Sequence, residues 1–266
     1  MNQKAAGVRR TSFSKTMDQC KQAVIANRPL DVKESELVAL LGAHIHRDVP
    51  GSGIMPVIGR MMPQSLRPIV RRLTTNVISG WQRRVAKRLA RQTPLRLNFG
   101  CGTLRLEGWI NVDLIGLPVD LSWDIRRPLP FEEDTVEAIF HEHVLEHIDA
   151  YRGYHFLKEC HRILKPGGVM RIVLPDAARY MGSYLDPEHK FLNSWRGPRF
   201  TAMLAVQEEF YGFGHCAMYD YETLALFCRV IGFNLIESKQ FGDSRLIPCP
   251  DSEWRIPDSF YAEAVK

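Results

Sequence analysis

Residues 95–113 constrain this chain more than any other stretch. They read Leu95-Arg96-Leu97-Asn98-Phe99-Gly100-Cys101-Gly102, then Thr103 to Gly108, then Trp109-Ile110-Asn111-Val112-Asp113. A short alternating apolar run ends in Gly-Cys-Gly, and a second apolar run ends in an aspartate. A strand running into glycines is a tight turn where the backbone comes close to something. In an open α/β sheet that turn lies at the carboxyl edge, where ligands bind. An aspartate closing the next strand is placed for a nucleotide ribose, whose hydroxyls its carboxylate can accept. The dinucleotide fingerprint does not fit, because Arg105 stands where a third glycine belongs and Asp113 comes sooner than the roughly 20 positions that fingerprint needs. Taken alone, these residues also fit an ordinary strand–turn–strand.

The chain beyond this stretch alternates in the same manner. Val119 to Ile125 reads as a third strand and its end, and Val136 to Phe140 as a fourth. A helix is expected to open at His143–Ile148 and run through Phe156, Leu157, Cys160, Ile163 and Leu164 until Lys165-Pro166-Gly167-Gly168 stops it. Val169–Leu174 reads as a buried strand, and Phe233–Ser238 and Phe260–Val265 as two more. Cycles of short strand, loop and helix make a parallel sheet with helices on its faces. Hydrophobic content of 45% and charged content of 24% suit a globular protein. Six scattered cysteines without a Cys-x-x-Cys pair argue for reduced thiols, against a disulfide framework or a structural zinc site.

Charge divides the chain. Residues 1–92 carry 17 Lys/Arg against 5 Asp/Glu, a net of +12, whereas 93–266 carry 18 against 25, a net of −7. The expected division is a basic helical N-terminal extension over 1–92 and a catalytic domain over 93–266. Asp31-Val32-Lys33-Glu34 looks like a capping box. A longer helix is expected from near Ser65, with Leu66, Val70, Leu73, Val77, Trp81, Val85 and Leu89 as its apolar stripe and Arg71, Arg72, Arg83, Arg84, Lys87, Arg88 and Arg91 on its polar positions. The stripe is expected to pack on its own domain, with anionic membrane contact through residues 65–91 as the second use of such a helix. No interleaved aromatics of a nucleic-acid binder accompany it. Residues 1–16 suit a basic tail, with an organelle leader as the alternative. No apolar run reaches the roughly 18 residues of a membrane span. A cytoplasmic protein, open to peripheral membrane contact, is the expectation.

Four motifs in order then carry a resemblance: Phe99-Gly100-Cys101-Gly102, Leu129-Pro130-Phe131, His143-Val144-Leu145-Glu146-His147 and Leu164-Lys165-Pro166-Gly167-Gly168. Gly108-Trp109-Ile110-Asn111-Val112-Asp113, Val173-Leu174-Pro175-Asp176 and Gly214-His215-Cys216-Ala217-Met218-Tyr219 narrow it. Residues 95–266 resemble class I S-adenosylmethionine (SAM) methyltransferases, specifically a bacterial "type 11"-like branch with a shortened first helix. The resemblance implies a Rossmann-like α/β fold: a mostly parallel seven-stranded sheet with helices on both faces, here behind the N-terminal extension. SAM is the implied cofactor. Asn98, Gly100, Cys101 and Gly102 would approach its amino-acid part, Asp113 the ribose, and Asp124 with the Ile125 backbone the adenine, with Asp120 as a rival. His141 and Glu142 would leave the fourth strand beside the sulfonium.

A hydroxyl acceptor must also lose a proton, usually to His, Asp or Glu. His143, Asp176 and His215 are the candidates, and each has a plain structural alternative as a packing, capping or loop residue. His143-Val144-Leu145-Glu146-His147 also spells His-x-x-Glu-His, an inverted zinc-peptidase pattern. Without a third ligand or a helix continuous across it, no metal is expected. Residues 180–214 form a long aromatic insert of the kind that serves as a lid, or simply as a cap with its own core. The expected function is methyl transfer from SAM to a small-molecule or sugar/polysaccharide-intermediate acceptor. The alternative is a non-catalytic SAM-binding or scaffold protein attached through its basic helix.

Overall fold

The computed structural model describes residues 80–114, 119–195, 197 and 199–266. The capping box at Asp31–Glu34, the basic tail, and the helix from Ser65 to residue 79 lie outside the described residues. Among the described residues, seven strands form one sheet: β1 (Arg96–Phe99), β2 (Ile110–Asp113), β3 (Leu121–Ser122), β4 (Val136–Glu142), β5 (Leu164–Pro175), β6 (Leu235–Lys239) and β7 (Ser259–Val265). The order across the sheet is β3-β2-β1-β4-β5-β7-β6. β1 to β5 pair in parallel, and β7 runs antiparallel to both β5 and β6. The order reverses between β1 and β4, and a crevice forms at such a switch point outside the carboxyl ends.

The central strands are buried on both faces, so their sequences are nearly continuous apolar runs. In β4, Ile139 joins one core with Leu97, Phe99 and Ile172, while Ala138 and Phe140 join another with Trp109, Val173 and Tyr261. The first core is closed by Phe156, Leu157, Cys160 and Ile163 of one helix and Leu224 and Cys228 of another. The second is covered by Leu106 and Trp109 before β2 and by Phe241 and Leu246 after β6.

Residues 80–89 are helical (α1). Ala86 is fully buried in the first core, and Val85 and Leu89 pack against it half-buried. The buried face is turned from the expected stripe: Trp81 is 62% exposed, while Gln82 is buried and accepts a hydrogen bond from the Ser122 N–H at 3.3 Å. Arg83 lies 5.5 Å over the Trp123 ring.

The helix expected from His143 begins later. Leu145–His147 is a single 3₁₀ turn, and α2 spans Ala150–Ile163 with Asp149 as its cap, accepting from the Arg152 N–H at 3.0 Å. A side chain that takes an orphan N–H sets a helix start more firmly than an apolar pattern does. α2 ends where Leu164 turns extended, since proline at 166 cannot continue a helix. β5 therefore starts at Leu164, and a bulge absorbs the Lys-Pro-Gly-Gly segment before Val169 pairs with Ala138. The third strand shrinks to Leu121–Ser122.

Contacts divide the molecule into a sheet unit, which holds the described residues up to Ala177 and from Phe213, and a second unit that includes Ala178–Gly212. α3 (Ala177–Leu185) leads into that second segment, followed by α4 (Lys190–Trp195), α5 (Ala202–Gln207) and a π-turn over Glu208–Gly212. It has a core of its own, Tyr180, Leu192, Ala205, Val206 and Phe210, with Phe191 and Trp195 packed against it. The Tyr180 hydroxyl donates to Glu209 at 3.0 Å, and Arg199 holds Glu208 through two bonds. Back in the sheet unit, α6 (Tyr221–Ile231) is capped by Asp220 and ended by Gly232 at φ 110°.

Candidate active site

The turn after β1 is held by a polar network centred on Asn111. Its Oδ1 accepts from the Asn98 side chain at 3.0 Å and from the Leu106 N–H at 2.9 Å. Its Nδ2 donates to the carbonyls of Leu106 and Trp109 and to Asp120. Asn98 also donates to the Leu104 carbonyl at 3.3 Å. Ten residues that form no helix are thus pinned by buried amide side chains. Two of the expected site residues belong to this network. Asn98 is buried and spent on the loop, not presented to a cofactor. Asp120 accepts from the Asn111 backbone and side chain on one oxygen and from Arg105 on the other, so it is tied to the same loop.

The two glycines differ. Gly100 has φ 65°, and a Cβ there would meet Val144 Cγ2 at 2.3 Å, so neighbouring packing demands the glycine. Gly102 has φ 51° and open space where its Cβ would stand. Its N–H donates to Asp113 Oδ2 at 2.8 Å, and the Leu114 N–H donates to the other oxygen at 2.6 Å. Each carboxylate oxygen has two lone pairs, so Asp113 is oriented by these bonds and retains capacity for two hydroxyls. Cys101 between them is buried, and burial, with Asp113 and Asp120, pushes its thiol up to about 11, which keeps it protonated.

Asp124 follows β3 and is gripped by Arg126 through Nε at 2.7 Å and Nη2 at 2.7 Å. Burial alone would raise its pKa, but the Arg126 bonds outweigh burial and lower it. One lone pair remains on Oδ2, enough for one amino hydrogen. Ile125 beside it packs half-buried against the first core.

The residues leaving β4 separate by face. His141 has no exposed surface, its ring packs edge-on to Phe156 at 5.6 Å, and neither ring nitrogen has a hydrogen-bond partner. Its expected contact beside a sulfonium is corrected: the side chain points into the core, and burial drives its pKa to about 3. Glu142 accepts from the Ser252 N–H at 3.1 Å and lies 3.5 Å from Arg255, with its pKa raised by burial.

His143 takes a left-handed backbone, φ 53°, which a non-glycine residue adopts only where its surroundings force it. That turn sends its ring inward: Nε2 lies 2.7 Å from Ser259 Oγ, and Nδ1 lies 3.3 Å from Glu146. Ser259 donates in turn to Asp258 at 2.9 Å. Asp176 follows β5 half-buried, its N–H bound to the Asp258 carbonyl. His215 is half-buried on a loop tied to Glu146, whose carbonyl accepts from the N–H groups of Cys216 at 2.6 Å and Ala217 at 3.2 Å. The tie brings His215 to His147, ring centroids 4.9 Å apart. Burial lowers the His147 pKa, while a Gly214 backbone bond and the Asp113 charge oppose the shift. Among the described residues, Glu146, His147 and His215 bring ligand atoms within 4.8 Å of one another. The sequence pattern pointed to His143 and His147, not to this group.

The residues at the switch point fit SAM: an open glycine, an oriented carboxylate after β2 and a second carboxylate after β3. Residues 113–172 match the model of the methyltransferase domain family. That match carries the resemblance to class I SAM-dependent methyltransferases onto the segment that holds Asp113 and Asp124. The matched segment runs from Asp113 into β5 and leaves out the glycine turn, where this chain has no helix. Its fold is similar to a SAM-dependent methyltransferase from Archaeoglobus fulgidus at 16% identity, covering 71% of this chain and 94% of that one, TM-score 0.42. It is also similar to a protein of Bordetella parapertussis described as a possible exported protein, at 13% identity over 100% and 99%, TM-score 0.46. A third likeness is to phosphoethanolamine N-methyltransferase 2 of Haemonchus contortus, at 16% identity over 70% and 52%, TM-score 0.42. No curated protein matches the chain in sequence.

Proposed function

We propose that the protein is a SAM-dependent methyltransferase acting on a hydroxyl of a small molecule or saccharide intermediate. The match of residues 113–172 to the methyltransferase domain model supports methyl transfer, and the hydroxyl acceptor is our reading of the polar cluster that follows β4. SAM supplies an activated methyl group, so the protein's task is mainly to hold donor and acceptor in line, which is worth several kcal/mol. Gly102 leaves room for the donor, Asp113 holds the ribose, and Asp124 with the Ile125 backbone reads the adenine. The observation that carries this assignment is Asp113, pre-oriented by the Gly102 and Leu114 N–H groups. Calorimetric titration with SAM tests it. Asp113→Ala should lose on the order of 1–3 kcal/mol of binding, and equal affinity in the folded variant would refute the assignment.

The acceptor's proton needs a receiver. His143 already bonds Ser259 and Glu146, which suits it to positioning the turn after β4. Asp176 and His215 are the two half-buried candidates on loops. Separate Asp176→Asn and His215→Gln variants identify the receiver, whose loss should cost about 10²–10⁴-fold in kcat. Peripheral contact with anionic membrane is supported by exposed Trp81, Arg83, Arg84, Lys87 and Arg88 on α1. Among the described residues, no helix is long and apolar enough to cross a membrane.

A further inference from the structure

We propose that Glu146, His147 and His215 form a binding site for a divalent first-row transition-metal ion. The three residues offer two imidazoles and one carboxylate, with ligand atoms within 4.8 Å of one another. Around one ion, with bonds of about 2.0–2.2 Å, such atoms stand roughly 3–3.5 Å apart. Small side-chain rotations therefore close the set. Two histidines and a carboxylate on one side of an ion leave other positions open, and this donor set suits zinc, iron, cobalt or manganese better than calcium or magnesium.

The backbone explains why these three residues meet. Glu146 and His147 are neighbours in the 3₁₀ turn Leu145–His147. That turn also explains why His143 is not the partner of His147: without a continuous α-helix, positions i and i+4 do not share a face. The second histidine comes instead from the 214–217 loop, held by the two bonds from Cys216 and Ala217 to the Glu146 carbonyl. Glu146 thus supplies its side chain to the site and its carbonyl to the strap that delivers His215. Its side chain is 2% exposed, and Nδ1 of the His143 ring lies 3.3 Å from its Oε1. A ligating carboxylate oriented by an outer partner is the usual build of a metal site. Part of His147 is open to solvent, which gives an ion access to the group, and its open positions would take water or an oxygen of the acceptor. The acceptor role rests on the methyl-transfer reading above, but the metal site does not.

The test uses the full chain after chelator treatment and measures Co(II) and Zn(II) binding directly, without SAM. Cobalt should give visible d–d bands at one ion per chain, and zinc should displace it. His147→Ala and His215→Ala should each weaken binding about tenfold or more, while His155→Ala, an exposed histidine outside the group, should bind as the native protein does. Should His147→Ala fail to fold, the loop variant His215→Ala decides alone, with retained SAM binding as the check on its fold. No stoichiometric binding by the native chain, or equal binding in His215→Ala, overturns the proposal. Loss of SAM binding in Asp113→Ala with cobalt binding intact separates this site from the cofactor assignment.

Discussion

A histidine with no exposed surface and no hydrogen-bond partner stays buried only while neutral, and His141 meets both conditions. Burial holds its folded pKa at about 3, against about 6.5 unfolded. The unfolded chain therefore binds one more proton between those values. Stability is fully present above pH 6.5 and is lost as pH falls toward 3, at up to about 1.4 kcal/mol per pH unit. His141→Phe should remove this contribution, so its urea midpoint falls less between pH 7 and pH 4 than that of the native protein. An identical fall in both would show that the ring titrates normally. The same residue marks the limit of sequence reading at this scale. The place of Asp113 at the end of β2 was legible, because a short apolar run closing on a carboxylate marks a strand end. His141 and Asn98 were not, because their places on strands say nothing about which face their side chains take. His215 joins Glu146 and His147 through a contact some 70 residues away in sequence, which no local spacing announces.

Elements were legible where periodicity was strong. β4 and the middle of β5 followed from their apolar runs. The start of α2 did not, because the Asp149 cap outweighs the apolar residues before it. α6 was missed, although Asp220 at its start and Gly232 at its end are cap signals. The shortened first helix between β1 and β2 belongs to the expected pattern, but what replaces it was not foreseen: one buried asparagine satisfying the strands and the loop together. Removing Asn111 leaves the Leu106 N–H and the carbonyls of Leu106 and Trp109 without their partner. Asn111→Ala should therefore cost roughly 2–4 kcal/mol in chemical denaturation. SAM affinity should fall too, because the same loop carries Gly102. Unchanged stability would mean that the loop holds without it. The other long loop has a comparable anchor. Arg171, fully buried on β5, bonds Asp251 and the carbonyls of Gln240 and Asp243, and nothing in its local sequence distinguishes it from a surface arginine.

For the whole chain, the charge boundary at residues 92–93 does not coincide with an edge of the packing. α1 lies on the basic side of that boundary, yet Ala86 is fully buried among residues of the sheet, with Val85 and Leu89 against them. The Gln82 side chain also receives the Ser122 N–H beside β3. The helix is thus part of the sheet unit's core on one face and a row of exposed cations on the other. A protein truncated to begin at Thr93 would lose both at once, and the two losses read out separately. Half-burial of Val85 and Leu89 together with full burial of Ala86 is worth roughly 2–4 kcal/mol. The truncated protein should therefore melt about 5–15 °C lower while still binding SAM through residues after Leu95. The cationic face contributes about 1 kcal/mol per Lys or Arg near an anionic surface, screened by salt. Co-sedimentation with phosphatidylserine vesicles should be seen for the full chain at low salt, fade at high salt, and vanish on truncation. If the melting temperature falls but vesicle binding never appears, α1 acts only in packing, and its arginines serve solubility.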